Sequence, residues 1–265
     1  NLQDNLGQTP LMLISEQGIP HTIDILIANG ANVNLRDKNG QNAFSYALCS
    51  DPEHLYSVVN PLINAGLEFS DENGQTLLMD ISGTFSYTEF SDFNYVIEKL
   101  IAMEPNINLQ NKDNLTALMI ASENENLEIV QMLLQHNINV DLQNKDNLTA
   151  LMISTNKLKM LSLIGDPEFS IKRQDKIVEM LIQAGANQQL TDKTGNNALF
   201  FAISKNRINM VKMLLNANTN ASNTNASNLN AQNNDNLTAL IAAVEKGCLE
   251  IVKLLLQHNV NVDLQ

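Results

Sequence analysis

Leu109-Gln-Asn-Lys-Asp-Asn-Leu-Thr-Ala-Leu-Met-Ile120 recurs without a change at Leu142–Ile153, and a looser copy, Gln232-Asn-Asn-Asp-Asn-Leu-Thr-Ala-Leu-Ile241, follows near the end of the chain. The first two copies are offset by 33 residues. A fixed period of that size marks one supersecondary unit that has been copied, and a unit so short cannot bury a hydrophobic face by itself. Stacked copies bury it together. With the Thr of Thr-Ala-Leu-Met as anchor, the equivalent residues are Thr9, Asn42, Thr76, Thr116, Thr149, Asn197 and Thr238, seven units at spacings of 33, 34, 40, 33, 48 and 41.

Each anchor precedes a short apolar helix signal, as in Ala117-Leu-Met-Ile-Ala121, and then a second amphipathic stretch, as in Glu128-Ile-Val-Gln-Met-Leu-Leu-Gln135. Between units lie Asn- and Asp-rich segments such as Asn137–Asn147, which suit short hairpins. The expected fold is an all-α solenoid with short inter-repeat β-hairpins. Thr or Asn at the anchor can accept a hydrogen bond from the open backbone N–H groups of the first helix. Two residues earlier, Gly7, Gly40, Gly74 and Gly195 can take positive φ, and Asn114, Asn147 and Asn236 are the side chains that best tolerate it.

Thr9-Pro10-Leu11, followed by Asp24-Ile-Leu-Ile-Ala-Asn-Gly30-Ala31-Asn32-Val33-Asn34, resembles the ankyrin repeat, whose signature contains Thr-Pro-Leu-His-x-Ala and a closing Gly-Ala-Asp. The resemblance covers essentially the whole chain and implies a single ankyrin-repeat domain over residues 1–265. Tetratricopeptide units lack the Thr-x-Leu helix start, and leucine-rich repeats are shorter. The family's His falls on Met12, Ser45, Met79, Met119, Met152, Phe200 and Ile241, so no unit has it. Apolar packing is expected to replace its hydrogen bonds.

Net charge is −13 and is uneven: residues 1–108 carry 3 basic and 14 acidic side chains, residues 109–265 carry 13 and 15. An acidic surface repels phosphate, so nucleic acid and anionic membrane are poor partners and a basic protein segment is a reasonable one. The same acids also keep a solenoid soluble. No apolar run reaches the length of a membrane span and Asn1–Thr9 has no signal-peptide pattern, so the expectation is a cytoplasmic monomer. Cys49 and Cys248 lie on distant units and cannot form a disulfide framework. The chain opens inside an inter-unit segment, and its last helix signal, Glu250–Gln257, is as apolar as an internal one, which leads us to expect a portion of a longer polypeptide.

Three insertions interrupt the copying. Ser82–Tyr95 holds five of the twelve aromatics, Phe85, Tyr87, Phe90, Phe93 and Tyr95, either as a partner anchor or as a lid on its own helices. A second insertion runs around 158–175, where Gly165-Asp166-Pro167 breaks the chain. Together they predict a notch floored by Glu123, Asn124 and Glu125. The third, with Thr-Asn-Ala-Ser-Asn in tandem at 219–228, reads as a mobile hairpin extension.

No nucleophile, metal or nucleotide constellation survives the repeat explanation. His136 and His258 are copies of each other, and no Cys/His spacing suits zinc, so no catalytic, cofactor or metal site is expected. The family resemblance implies instead a partner surface of hairpin tips and inner helices. Carried onto this chain, with the insertions, it points to Phe85, Tyr87, Phe90, Phe93, Lys112, Asp113, Leu115, Glu123, Asn124, Glu125, Lys145, Asp146, Leu148, Asn156 and Lys157, and in the other units to Glu16, Gln17, Asn39, Gln41, Asn73, Gln75, Lys193, Asn196, Ser204, Lys205, Asp235 and Leu237. Leu115, Leu148 and Leu237 are apolar where the fold needs no apolar residue, and copying also accounts for them. The implied function is a protein-interaction scaffold or adaptor, or else the substrate-targeting region of a larger enzyme or ubiquitin-ligase receptor. Near-identical copies and abundant Asn resemble the ankyrin arrays of giant DNA viruses and amoeba-dwelling bacteria, which implies a host protein as partner.

Overall fold

The computed structural model describes residues 1–84, 91–104, 106–156, 167–217, 228–258 and 260–263. Every anchor opens a helix pair. In chain order these are α1 (Pro10–Glu16) with α2 (Pro20–Ala28), α3 (Ala43–Ala47) with α4 (Leu55–Asn64), α5 (Leu77–Ser82) with α6 (Ser91–Met103), α7 (Ala117–Glu123) with α8 (Leu127–Leu134), α9 (Ala150–Asn156) with α10 (Pro167–Gln183), α11 (Ala198–Ser204) with α12 (Ile208–Ala217), and α13 (Ala239–Glu245) with α14 (Leu249–Gln257).

The anchors act as the sequence requires. The side-chain oxygen of Thr9 accepts from the N–H of Met12 at 3.2 Å, Asn42 from Ser45 at 3.0 Å, and Thr149 from Met152 at 3.3 Å, with the other four anchors doing the same. All seven anchors are buried, so each bond is shielded from competing water. The turns ahead of them hold positive φ at every unit, from Asn114 at 56° to Gly7 at 83°. The expected hairpins are nearly free of ladder bonds: among the described residues only isolated bridges pair Ser70 with Thr76 and Gln232 with Thr238. Their shape comes from turn bonds, such as the Asp37 N–H donating to the Gln41 carbonyl at 2.9 Å, and from side chains. An Asp or Asn five residues before the anchor folds the loop over its own carboxylate or amide oxygen, as Asp37 Oδ1 does by accepting from the N–H groups of Asn39 and Gln41, both at 2.8 Å. Asp4, Asp71, Asn144, Asp192 and Asn233 repeat this geometry.

The chain divides into two compact units, residues 1–112 and 113–265. Within the first, α1 packs on α3, α2 on α4 and α4 on α6. Within the second, α7, α9, α11 and α13 form one row and α8, α10, α12 and α14 the other. The second-row cores repeat one pattern, Ile129, Val130 and Leu133 in α8 and Ile177, Val178 and Leu181 in α10, all fully buried. Each such side chain gains about 1.5–3 kcal/mol on burial. At the position of the family's His, Met12, Met79, Met119 and Met152 are 1 % exposed and Phe200 is buried, so apolar packing replaces the polar network in those five units, whereas Ser45 donates through Oγ to its anchor Asn42 at 3.2 Å and Ile241 is half-buried.

The two long insertions are partly helical, where an interrupting loop was expected. Pro167 is the first residue of the 17-residue α10, a position where its fixed φ favours a helix start, so 167–175 extends the second helix rather than looping. Likewise 91–95 belongs to α6, and its Phe93 is 5 % exposed. Residues 85–90, 157–166 and 218–227, and with them Phe85, Tyr87, Phe90, Lys157 and most of the tandem pentapeptide, lie outside the described residues.

Two stability predictions follow from the turns and from α6. A Cβ on Gly195, at φ 80°, would stand 2.8 Å from the backbone N of Asn234, whereas one on Gly40, at φ 81°, would meet nothing within 4 Å. Gly40→Ala should therefore cost about 1 kcal/mol of left-handed strain and Gly195→Ala roughly 2–3 kcal/mol, measured by urea unfolding followed by circular dichroism. Glu104, just past α6, has its pKa raised to about 7 by burial, against a hydrogen bond from Thr76 that lowers it. Between the ordinary pKa of 4.5 and about 7 the unfolded chain ionises while the folded chain keeps its proton, so this group's stability is full at low pH and lost as pH rises through that window. Glu104→Gln should leave the melting temperature unchanged near pH 4.5 and raise it by about 2–4 °C at pH 8.

Candidate functional site

In the 113–265 unit, consecutive hairpins are joined at their tips. The N–H of Lys145 donates to the carbonyl of Asp113 at 3.1 Å, that of Lys193 to Asp146 at 3.3 Å, and that of Asn234 to Thr194 at 3.0 Å. Side chains follow the same steps: the Lys145 ammonium lies 3.3 Å from Asp113 and the Lys193 ammonium 3.3 Å from Asp146. These pairs are well exposed and contribute little stability. The backbone bonds, not these pairs, fix a regular spacing of alternating charge along the tips.

Behind the tips lies a groove of about 630 Å³, lined by Asp113, Leu115, Glu123, Asn144, Lys145, Asp146, Leu148, Ile153, Asn156 and Lys193. Half-buried Leu115 and Leu148 supply apolar floor on successive hairpins, and Ile153 and Asn156 come from α9. Eight sequence-derived positions therefore meet in one place: Asp113, Leu115, Glu123, Lys145, Asp146, Leu148, Asn156 and Lys193. Asn144 and Ile153 were missed. The signal for Asn144 was its place five residues before the anchor, where it shapes the hairpin. With apolar residues and both charge signs in its lining, the groove can hold an extended peptide or loop.

Three other expected residues serve the fold. Phe93 is buried against its own unit and is not an exposed anchor. Asn124 caps α7 and donates through Nδ2 to the carbonyl of Ile120 at 2.9 Å. Glu125 is engaged within its own unit: its carboxylate accepts from Ser170 Oγ at 2.6 Å and Gln174 Nε2 at 2.7 Å, and its carbonyl accepts from Arg173 Nε at 3.0 Å. The extension of α10 brings those donors over the α7–α8 turn, where Glu125 sits at φ 61°. Lys112 lies in the other unit, its N–H donating to the carbonyl of Asn73 at 2.7 Å.

Arg173 completes this clamp with a two-pronged pair to Glu128, at 3.2 and 2.5 Å, the side chains 16 % and 30 % exposed. Arg207 repeats the device one pair further on, donating to Gln174 at 2.6 Å and Asp175 at 3.0 Å. Arg173→Ala removes the pair and leaves the Glu125 carbonyl without that donor, and should cost about 2 kcal/mol in urea unfolding. Arg173→Lys, which keeps the charge but loses the fork, should recover about half of it.

Among the described residues no helix is long and apolar enough to cross a membrane. The family model for ankyrin repeats (three copies) matches residues 1–73, 88–175 and 168–265. The putative ankyrin repeat protein YahD of Escherichia coli is 27 % identical over 209 residues, covering 78 % of this chain and 94 % of that protein. The E3 ubiquitin-protein ligase KEG of Arabidopsis thaliana is 24 % identical across 100 % of this chain, which spans 15 % of the ligase. The human transient receptor potential cation channel subfamily V member 4 is 25 % identical over 154 residues, 49 % of this chain and 18 % of the channel subunit. The chain thus spans less than a fifth of the ligase and of the channel. The crystal structure of the human ASB11 ankyrin repeat domain superposes with a TM-score of 0.70 at 19 % identity, covering 96 % of this chain and 99 % of that one. The matched segments, the anchors and the helix pairs agree: the chain belongs to the ankyrin-repeat family, whose fold is an interaction module for other proteins.

Proposed function

We propose that this chain is a non-catalytic scaffold or adaptor, a single cytoplasmic ankyrin-repeat domain acting as a monomer, that grips a segment of a partner protein in the groove behind the hairpin tips. The carrying observation is the convergence of Leu115 and Leu148 with the alternating charges of Asp113, Lys145, Asp146 and Lys193 around one cavity. Leu115 and Leu148 are only half-buried on their hairpins, which leaves apolar area for a partner, and apolar contacts ringed by polar ones are the usual anatomy of a recognition surface. A host protein in infected-cell cytoplasm is the partner that the Asn-rich, recently copied sequence favours.

A second reading is a substrate-targeting region within a larger enzyme or ubiquitin-ligase receptor. It is favoured by the alignment of the whole chain with a short part of an E3 ligase. In that case the recruited protein gains ubiquitin when the complete polypeptide is expressed with it.

Selection of twelve-residue peptides from a random displayed library tests the groove directly. Selected peptides should lose at least about 10-fold in affinity for the Leu115→Asp/Leu148→Asp double variant, since each buried apolar anchor contributes on the order of 1–2 kcal/mol. Both leucines are half-buried on turns, so the melting temperature should change little. Failure to enrich any sequence, or equal binding by the double variant, would sink the reading.

A further inference from the structure

The 1–112 unit has a second groove, on its second-row helices, that the interaction surface above does not use. About 530 Å³ in volume, it lies between α2 and α4, with Pro20, Ile27 and Pro61 among its apolar lining and Asp24, Ser57 and Asn60 among its polar lining. Such a volume suits one long side chain with its flanking backbone.

Pro61 sits inside α4 and has no N–H, so the carbonyl of Ser57 lacks the donor that every regular helical carbonyl receives four residues on. Ser57 and Pro61 both line the groove, and so does the exposed carboxylate-bearing Asp24. Polar residues of two helices, Asp24 and Ser57, therefore line one cavity together with Pro20, Ile27 and Pro61. An ammonium already docks on this helix: Lys99 of α6 donates to the Asn60 amide oxygen. The surrounding charge has the matching sign, since residues 1–108 carry 14 acidic and 3 basic side chains, and of those three Arg36 is turned onto the carbonyl of Gly40.

We propose that this groove is a docking site for an arginine of a basic peptide segment. The guanidinium supplies several planar N–H donors, enough to serve the Asp24 carboxylate and the Ser57 carbonyl together. Its methylene stem lies along Pro61 and Ile27. A purely apolar side chain would leave the Asp24 carboxylate without a charge partner, and an acidic one would meet a repelling field. The site is independent of the groove at residues 113–156.

The test is an NMR titration of the ¹⁵N-labelled full chain with acetylated, amidated hexa-arginine. Amide shifts should concentrate in residues 20–28 and 57–65. Asp24→Asn should weaken binding about 10-fold. Pro61→Ala, which removes the wall and returns a helical donor to the Ser57 carbonyl without changing charge, should weaken it about 3-fold. Glu53→Gln, an equal loss of charge at an exposed site that does not line the groove, should change it less than about 2-fold. Equal weakening by Asp24→Asn and Glu53→Gln would reduce the effect to a diffuse acidic field and overturn the proposal, as would shifts centred elsewhere or no binding. The Leu115→Asp/Leu148→Asp variant should bind hexa-arginine unchanged, which keeps this test separate from that of the other groove.

Discussion

A helix of seven residues leaves its first four N–H groups and its last four C=O groups without intrahelical partners, so it has almost no hydrogen-bond stability of its own. Five of the first helices in this chain, α1, α7, α9, α11 and α13, have that length. Each persists through two external supports. A buried Thr or Asn oxygen takes one of the orphan N–H groups, and the neighbouring pairs cover the large apolar side chains two and three residues after it, fully in α1, α7, α9 and α11 and by half at Leu240 and Ile241 of α13. Neither support is sufficient alone, because a cap contributes only about 1 kcal/mol and an uncovered Leu gains nothing. Dependence on the neighbour is what makes the repeat a building block and not a domain.

The tips inherit their order from the same constraint. Once the anchor is fixed, the Asp or Asn five residues earlier folds the hairpin over its own oxygen, and the residue at positive φ closes the turn. Hairpins shaped in this way then bond one to the next through backbone groups. The alternating Lys and Asp side chains of the second unit are therefore held in register by the backbone, not by their own weak pairing. A partner segment would meet a pattern already set before it arrives, which lowers the ordering cost of binding.

Where the copying fails, the polar chemistry becomes specific. The lengthened α10 carries Ser170, Arg173 and Gln174 over the α7–α8 turn, and together they hold Glu125 at a left-handed φ that a non-glycine residue rarely adopts. The neighbouring Arg207 reuses Gln174 and Asp175, so the clamp continues into the next pair. Insertions of this kind give individual identity to units whose apolar cores are nearly interchangeable.

The sequence by itself determined the repeat, the seven anchors, the seven positive-φ turns and the apolar replacement of the family's His, because each is local and each was copied enough times to expose its rule. It also indicated most of the groove behind the tips, since those residues keep fixed offsets from the anchors. Only the tertiary structure decided that Phe93 is core, that α10 begins at Pro167, that Glu125 belongs to an internal clamp and that Asn144 and Ile153 complete the groove. Ser170 and Glu125 are 45 residues apart. Contacts across such a distance are set by how far an inserted helix extends over its neighbour, which no periodicity in the chain encodes.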